Sequence, residues 1–137
     1  MVDQVVDSNV WLAYFLPQDA LRQPAQQFPS EFQAGQHICH LPSLVLIETC
    51  GQIAHQSQVC PILKVGLAHR SFLAWEQAGL IRWYDLDSNR LSRALDTSVQ
   101  LRLKGLDAVI VSLAQELSLP LRTFDMEIQQ RYPNATT

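Results

Sequence analysis

The chain has 137 residues, of which 47% are hydrophobic, and a formal charge of −3 from 10 basic and 13 acidic side chains. This length suits one domain with a substantial core, so we expect a single domain over residues 1–137. The negative charge argues against a protein that coats nucleic acid through a broadly basic surface. Asp3 and Asp7 interrupt the first apolar run, and no run is long enough to span a membrane, so we expect a cytoplasmic protein without a signal peptide.

Short apolar runs alternate with helical segments along the chain. The apolar runs predict strands at residues 5–6, 38–41, 80–86 and 119–124. The helical segments are residues 9–16, 19–35, 43–55, 61–79 and 87–104, a helix from residue 107 onward and a short last helix before Pro133. Pro17 is expected to end the first helix, Pro24 and Pro29 to interrupt the second, and Ser43 to cap the third. This alternation predicts an α/β fold with three layers, in which helices cover both faces of a central parallel sheet of four to five short strands.

Four acidic residues occupy positions that such a fold can bring together. Three of them follow a strand or begin a helix and the fourth lies in an apolar helix: Asp7, Asp107, Asp125 and Glu48, which we call the four candidate acids. Ligand sites in parallel sheets form beyond the carboxyl ends of the strands, which is where Asp7 and Asp125 fall. Carboxylates gathered there would repel one another, and without a cation at least one pKa would rise.

Each candidate acid also has a structural explanation. An Asp at a helix N-terminus can cap the helix, which stabilises it by about 1 kcal/mol, and this explanation is open for Asp7, Asp107 and Asp125. Glu48, inside the apolar segment LVLIETCGQIA, could instead pair with a distant arginine. Oxygen ligands without nitrogen or sulfur favour Mg²⁺ or Mn²⁺ over Zn²⁺. Taken together, the four acids therefore predict a metal-dependent phosphodiester hydrolase.

Three segments carry a family resemblance: VVDSNVWLAYFLP, LPSLVLIETCG and LKGLDAVIVSLAQELSLPLRTFD. They resemble the PIN domain family, and most of all the VapC-type toxin ribonucleases of bacterial toxin–antitoxin pairs. The resemblance implies an endoribonuclease whose four candidate acids bind Mg²⁺ or Mn²⁺ and catalyse cleavage of RNA. It also implies a homodimer and a small antitoxin partner. The prolines at positions 24 and 29 depart from the regular second helix of such toxins.

Polar residues beside the acids are further candidates. Ser8, Asn9 and Thr123 are expected to orient the carboxylates or water around the metal, although ordinary capping and strand-end roles remain open. A basic group precedes Asp107 in the sequence and could contact RNA phosphates or simply form a solvated helix face: Arg90, Arg93, Arg102 and Lys104.

Competing interpretations are weaker. A zinc site at His37, Cys39 and His40 with Cys50 is disfavoured, because side chains alternate along a strand and the usual cysteine spacing is absent. The odd number of cysteines, with no CxxC pair, favours reduced thiols. His55 as a general base is disfavoured, because two helical turns separate it from the nearest candidate acid.

Three alternatives concern the function as a whole. A phosphatase similar to the haloacid dehalogenases would need Asp-x-Asp after the first strand, where this chain has Asp7-Ser8-Asn9. A stand-alone PIN nuclease that acts in RNA processing remains open. So does a non-catalytic module that binds RNA or a protein partner.

Overall fold

A computed structural model describes the backbone of residues 1–16 and 22–137 and the side chains of residues 1–16 and 27–137. The strands within these ranges are β1 Val2–Val6, β2 His37–Pro42, β3 Ile81–Tyr84, β4 Leu121–Arg122 and β5 Ala135–Thr136. The helices are α1 Ser8–Phe15, α2 Arg22–Gln33, α3 Ser43–Gln56, α4 Pro61–Gln77, α5 Ser88–Leu101, α6 Gly105–Leu117 and α7 Met126–Arg131. In the described part of the chain, no helix is long and apolar enough to cross a membrane.

The strands form one sheet in the order β3-β2-β1-β4-β5, and every neighbouring pair is parallel. The predicted α/β fold with a central parallel sheet is therefore confirmed. β1 is the middle strand, and its Val5 and Val6 are fully buried. Helix α6 packs on β1 and β2 and pairs with α5, while α1 contacts α2 and α3, and α3 contacts α4. The middle position of β1 brings its carboxyl end beside the end of β4.

A cluster of aromatic side chains joins the helices α1, α2 and α4. Trp11 of α1 is fully buried, and four ring centroids lie 5.1–5.6 Å from its own: Phe28, Phe32, Phe72 and Trp75. Such contacts add about 0.5–1.5 kcal/mol each beyond the burial of area. They explain why the predicted interruption at Pro29 is wrong: Pro29 lies inside α2, because the packing of Phe28 and Phe32 outweighs the hydrogen bond that proline removes. The predicted helix end at Pro17 and helix start at residue 19 lie outside the described residues.

Several predicted boundaries are also wrong. Pro42, not Ser43, is the N-cap of α3, because the Ser43 hydroxyl donates to Asp85 Oδ1 at 2.7 Å instead of to its own helix. Helix α6 begins at Gly105 and not at Asp107, so the glycine that was expected to break the preceding helix is the first residue of this helix. Strand β4 is shorter than predicted, and the partner strand β5 was not predicted.

Candidate metal centre

Two of the four candidate acids lie just beyond the carboxyl ends of neighbouring strands. Asp7 comes after β1 and caps α1, and its Oδ1 accepts a hydrogen bond from Ser8 N at 2.7 Å. Asp125 follows the end of β4 and caps α7, accepting from the N–H groups of Glu127 and Ile128 at 2.8 and 3.2 Å. The carboxyl edge of the sheet therefore holds both carboxylates, as the sequence predicted, and both also act as helix caps.

The other two acids approach this edge from helices. The Ser8 hydroxyl donates to Glu48 Oε2 at 2.6 Å and lies 3.3 Å from Asp7 Oδ1, so that it joins α3 to the end of β1. Asp107 stands in the first turn of α6, whose N-cap is Lys104, so Asp107 is not the cap of its helix, although its charge there complements the helix dipole. Glu48 forms no ion pair with a basic group of the described residues, which removes support for the distant arginine partner.

The pKa values of two acids show that the group shares one electrostatic environment. Burial raises the pKa of Asp7 to about 6, the charges of Glu48 and Asp125 add to the rise, and hydrogen bonds from Thr123 and Ser8 oppose it. Burial likewise raises the pKa of Asp107 to about 6, with further contributions from Asp7, Asp125, Glu48 and Glu127. Acidic neighbours without a compensating cation therefore make ionisation costly at this edge.

Thr123 connects two of the acids. Its side chain is fully buried, and its hydroxyl donates to Asp7 Oδ2 at 2.6 Å while accepting from Asp125 N at 3.0 Å. Asn9 supports the same turn, since its Oδ1 accepts from Phe124 N at 3.2 Å. The predicted auxiliary residues Ser8, Asn9 and Thr123 thus all contact an acid or the turn that carries one. Their role in orienting metal ligands stays a prediction.

Gln129 is a supporting residue that the sequence did not reveal. Its Nε2 donates to the backbone carbonyl of Thr123 at 2.8 Å, which fixes the turn from the side of α7. The only available signal was its position one helical turn after Asp125, where a side chain can return to the helix start.

The donor chemistry of the centre fits a hard divalent cation. Among the described residues, no three His, Cys, Asp or Glu side chains lie close enough to ligate one ion together. The four candidate acids are therefore an electrostatic cluster and not a preassembled coordination shell. Their oxygens match Mg²⁺ or Mn²⁺, and a cation among them would remove the repulsion that raises the pKa values of Asp7 and Asp107. Their assignment as metal ligands stays a prediction.

The zinc interpretation gains no support from the structure. His37 Nε2 lies 2.6 Å from Glu31 Oε2, whereas His40 lies between Tyr84 OH and Asp3 Oδ1 at 2.8 and 2.9 Å. The two histidines thus have separate partners. All three cysteines are free, and His55 is exposed near the end of α3.

The predicted basic group divides into two pairs. Arg90 and Arg93 both bind Glu116, through Arg90 Nε at 3.1 Å and Arg93 Nη1 at 2.5 Å. Arg102 and Lys104 are exposed in the short connection between α5 and α6, directly before Asp107. Lys104 is the N-cap of α6, whose first turn carries Asp107, whereas Glu116 lies near the other end of this helix.

Comparison with known proteins gives both a family and a set of related folds. Residues 5–133 match the PIN domain model. A toxin–antitoxin complex from Klebsiella pneumoniae has a TM-score of 0.70 at 18% identity, with 98% of this chain and 96% of that chain covered. VapC20 from Mycobacterium tuberculosis, a toxin that cleaves the sarcin–ricin loop, has a TM-score of 0.71 at 16% identity, with 92% of each chain covered. VapBC2 from Rickettsia felis, bound to a DNA fragment of its promoter, has a TM-score of 0.68 at 16% identity, with 98% and 96% covered.

At these identities the solved structures establish the fold alone, and no curated protein matches the chain. The family match establishes more than the fold, because it extends over most of the sequence and includes all four candidate acids. The chain belongs to the PIN domain family.

Proposed function

We propose that this chain is a metal-dependent endoribonuclease and the toxin of a toxin–antitoxin pair. The observation that carries the proposal is the grouping of the candidate acids at the carboxyl edge of the sheet, where the Ser8 hydroxyl contacts both Asp7 and Glu48 and the Thr123 hydroxyl connects Asp7 to Asp125. The raised pKa of Asp7 and of Asp107, caused by burial together with the charges of other candidate acids, agrees with it. A cluster of this kind destabilises the protein unless it binds a cation, so a purely structural role explains it poorly.

The four candidate acids would hold Mg²⁺ or Mn²⁺. When bound, such an ion supplies Lewis-acid stabilisation of phosphate charge and lowers the pKa of water. The protein's own contribution is orientation: the hydroxyls of Ser8 and Thr123 hold the Glu48 and Asp7 carboxylates by hydrogen bonds of 2.6 Å each. In-line attack of water on an RNA phosphodiester is the reaction that this arrangement serves.

The partners follow from the related folds and from one surface feature. VapC20 is a toxin that cleaves the sarcin–ricin loop, and the Klebsiella pneumoniae structure is a toxin–antitoxin complex, which supports RNA as substrate and a small antitoxin as partner of this chain. A groove of about 650 Å³ between α3, α5 and α6 borders Glu48. Three of its lining side chains, Ile47, Leu91 and Leu95, are 69%, 47% and 60% exposed, which is typical of a surface that a second subunit or an antitoxin covers.

A metal-dependence experiment tests the catalytic part of the proposal. Purified protein should cleave cellular RNA with Mg²⁺ or Mn²⁺, should stop in EDTA, and should lose activity as pH falls, because protons compete with the cation for the same oxygens. Zn²⁺ should substitute poorly, since the ligands offer only oxygen. Calorimetric titration with Mn²⁺ should show binding to the wild type and weakened binding to Asp107→Asn. Equal binding by both proteins, or cleavage in excess EDTA, would contradict the proposal.

Expression in bacteria tests the toxin part. The wild-type chain should arrest growth when expressed alone, and co-expression of the adjacent upstream gene should restore growth. Growth that continues despite active, metal-dependent protein would favour the alternative of a stand-alone PIN nuclease. Growth that continues with protein that neither binds metal nor cleaves RNA would favour a non-catalytic binding module.

A further inference from the structure

The four predicted basic residues lie at the two ends of the helix pair α5 and α6, and those at one end form ion pairs. Arg90 and Arg93 lie in the first two turns of α5 and share Glu116, which is nine residues beyond Asp107 on α6. Nine residues of α-helix correspond to about 14 Å along the helix axis. Because Glu116 holds both arginines far from the candidate acids, they are poorly placed to bind phosphate there.

The opposite end of the helix pair has a different composition. Arg102 and Lys104 are exposed in the connection that leads into α6, and Lys104 is the N-cap of this helix, whose first turn carries Asp107. Arg102 has a left-handed backbone with φ of +55°, a conformation that favours glycine. Its carbonyl accepts a hydrogen bond from Arg131 Nη1, and this contact ties the connection to the end of α7.

Arg131 is a basic residue beside the acids that the sequence did not single out. Side chains on a helix lean toward its N-terminus, which in α7 is Asp125. Accordingly, Arg131 Nη1 lies 2.6 Å from Glu127 Oε1, and both side chains are about two-fifths exposed, at 39% and 41%. Glu127 N in turn donates to Asp125 Oδ1 at 2.8 Å, so this ion pair lies within one helical turn of a candidate acid. Arg131 is therefore anchored at the border of the acidic cluster.

We propose that Arg102, Lys104 and Arg131 form a cationic rim that binds an RNA backbone phosphate next to the four candidate acids. This inference rests on the proposed ribonuclease function. A cluster of carboxylates repels a polyanionic substrate, and cations at its border offset that repulsion while fixing the position of the strand. A guanidinium has five N–H donors, and the described contacts of Arg131 use Nη1, so its other nitrogens can form a fork toward a phosphate.

RNA binding measured without cleavage tests the rim. A short fluorescein-labelled single-stranded RNA is titrated with protein in EDTA, and fluorescence anisotropy gives Kd over a range of salt concentrations. Arg131→Gln should weaken binding several-fold and reduce the slope of log K against log salt by about 0.7, the value for one lost contact on a single strand. The matched control Arg93→Gln should change neither quantity, because Arg93 is held at Glu116, about 14 Å along α6 from Asp107.

A second pair of variants keeps the test decisive if Arg131→Gln unfolds. Glu127→Gln releases Arg131 and should tighten RNA binding, whereas Glu116→Gln removes the same charge at the far end of α6 and should leave RNA binding as in the wild type.

Equal effects of the two glutamate variants, or of the two arginine variants, would overturn the rim. Competition by poly-L-glutamate as strong as that by unlabelled RNA would overturn it as well, by assigning these cations to an acidic protein segment. If the wild type cleaves RNA and Arg131→Gln binds RNA as tightly as the wild type, the rim alone is overturned. If the wild type neither cleaves nor binds RNA, the ribonuclease function is overturned too.

Discussion

Glu31 and Asp7 are both largely buried acids, yet their pKa values move in opposite directions. Glu31 of α2 is 23% exposed and contacts two basic groups, His37 Nε2 at 2.6 Å and Arg122 Nη1 at 3.1 Å. Burial acts to raise its pKa, but the hydrogen bonds from these two groups outweigh burial and lower it. Asp7 is 3% exposed and has acidic neighbours, so burial and repulsion raise its pKa to about 6.

The difference shows where the chain uses its cations. Glu31, the paired acid, joins α2 to β2 through His37 and to β4 through Arg122. These contacts help to attach the helix to the sheet. The unpaired acids lie at the carboxyl edge of the same sheet, where charge repulsion costs stability in the absence of a bound cation. Groups that lower stability in this way are typical of functional sites, and we expect that each acid can be replaced by its amide without loss of the fold.

The largest expected effect comes from removing one unpaired acid. Asp107→Asn should lower the rate of RNA cleavage by on the order of 1,000-fold, because it removes a charged ligand from the centre. The melting temperature in EDTA should stay the same or rise, since repulsion with Asp7, Asp125 and Glu48 is relieved. Glu116→Gln, on the same helix but paired with arginines, is the control and should leave cleavage intact. A melting temperature of Asp107→Asn several degrees below the wild type would show that Asp107 is structural.

A smaller effect is expected at the hydroxyl that connects two acids. Thr123→Val keeps the shape of the side chain but loses its bonds to Asp7 Oδ2 and Asp125 N, so Mn²⁺ affinity and cleavage should each fall by about 10-fold to 100-fold. Thr123→Ser retains the hydroxyl and should recover most of both. Calorimetric Mn²⁺ titration and cleavage assays on the two variants measure this difference. Wild-type Mn²⁺ affinity in Thr123→Val would rule out the orienting role of the hydroxyl.

The pH dependence of stability without metal distinguishes the paired acids from the unpaired ones. Because the folded-state pKa of Asp7 is raised from 3.8 to about 6, its protonation stabilises the fold fully below pH 3.8, and this contribution is lost as pH rises through about 6. In EDTA, Asp7→Asn should therefore be more stable than the wild type by about 1–3 kcal/mol above the folded-state pKa, with a difference that shrinks as pH falls below it. Urea unfolding over this range measures the effect. A difference that does not vary with pH would show that the variant acts through packing and not through ionisation.

Local patterns in the sequence predicted most of the fold and the four candidate acids. Val5 and Val6 form a short buried strand, and Asp7 follows it, so periodicity and position were sufficient to place this acid at the sheet edge. Strand β5 was missed because it has only two residues, too few to show a periodic pattern. Only its pairing with β4 defines it as a strand. The interruption expected at Pro29 failed because the packing of aromatic rings on Trp11 is not visible in the propensity of single residues.

Contacts between residues far apart in the sequence account for what could not be predicted at the site. Ser43 looked like a helix cap until the structure placed Asp85 within reach of its hydroxyl. Arg90 and Arg93 looked equivalent to Arg102 before their shared partner Glu116 was known. Sequence proximity to Asp107 identified a basic group, but only the packing of α5 on α6 divides it into paired and exposed residues.

The smallest expected effect concerns the paired acid. Glu31→Gln leaves an acceptor for Arg122 and His37 but removes the negative charge, so the variant should lose about 1 kcal/mol of stability near neutral pH, between the usual values for exposed and for buried pairs. Because the pKa of Glu31 is lowered in the folded protein, its contribution is present above its unfolded value of 4.5 and is lost as pH falls through the lower folded value. The stability of Glu31→Gln and that of the wild type should therefore converge in acid, as for Asp7→Asn. The sign of the difference near neutral pH is opposite, because Glu31→Gln is less stable than the wild type and Asp7→Asn is more stable. Urea unfolding at neutral and at acidic pH, with RNA cleavage as a control that should not change, measures both trends. A loss of stability that persists in acid would mean that Glu31 holds α2 through its shape and hydrogen bonds, and that the contrast between paired and unpaired acids does not rest on charge.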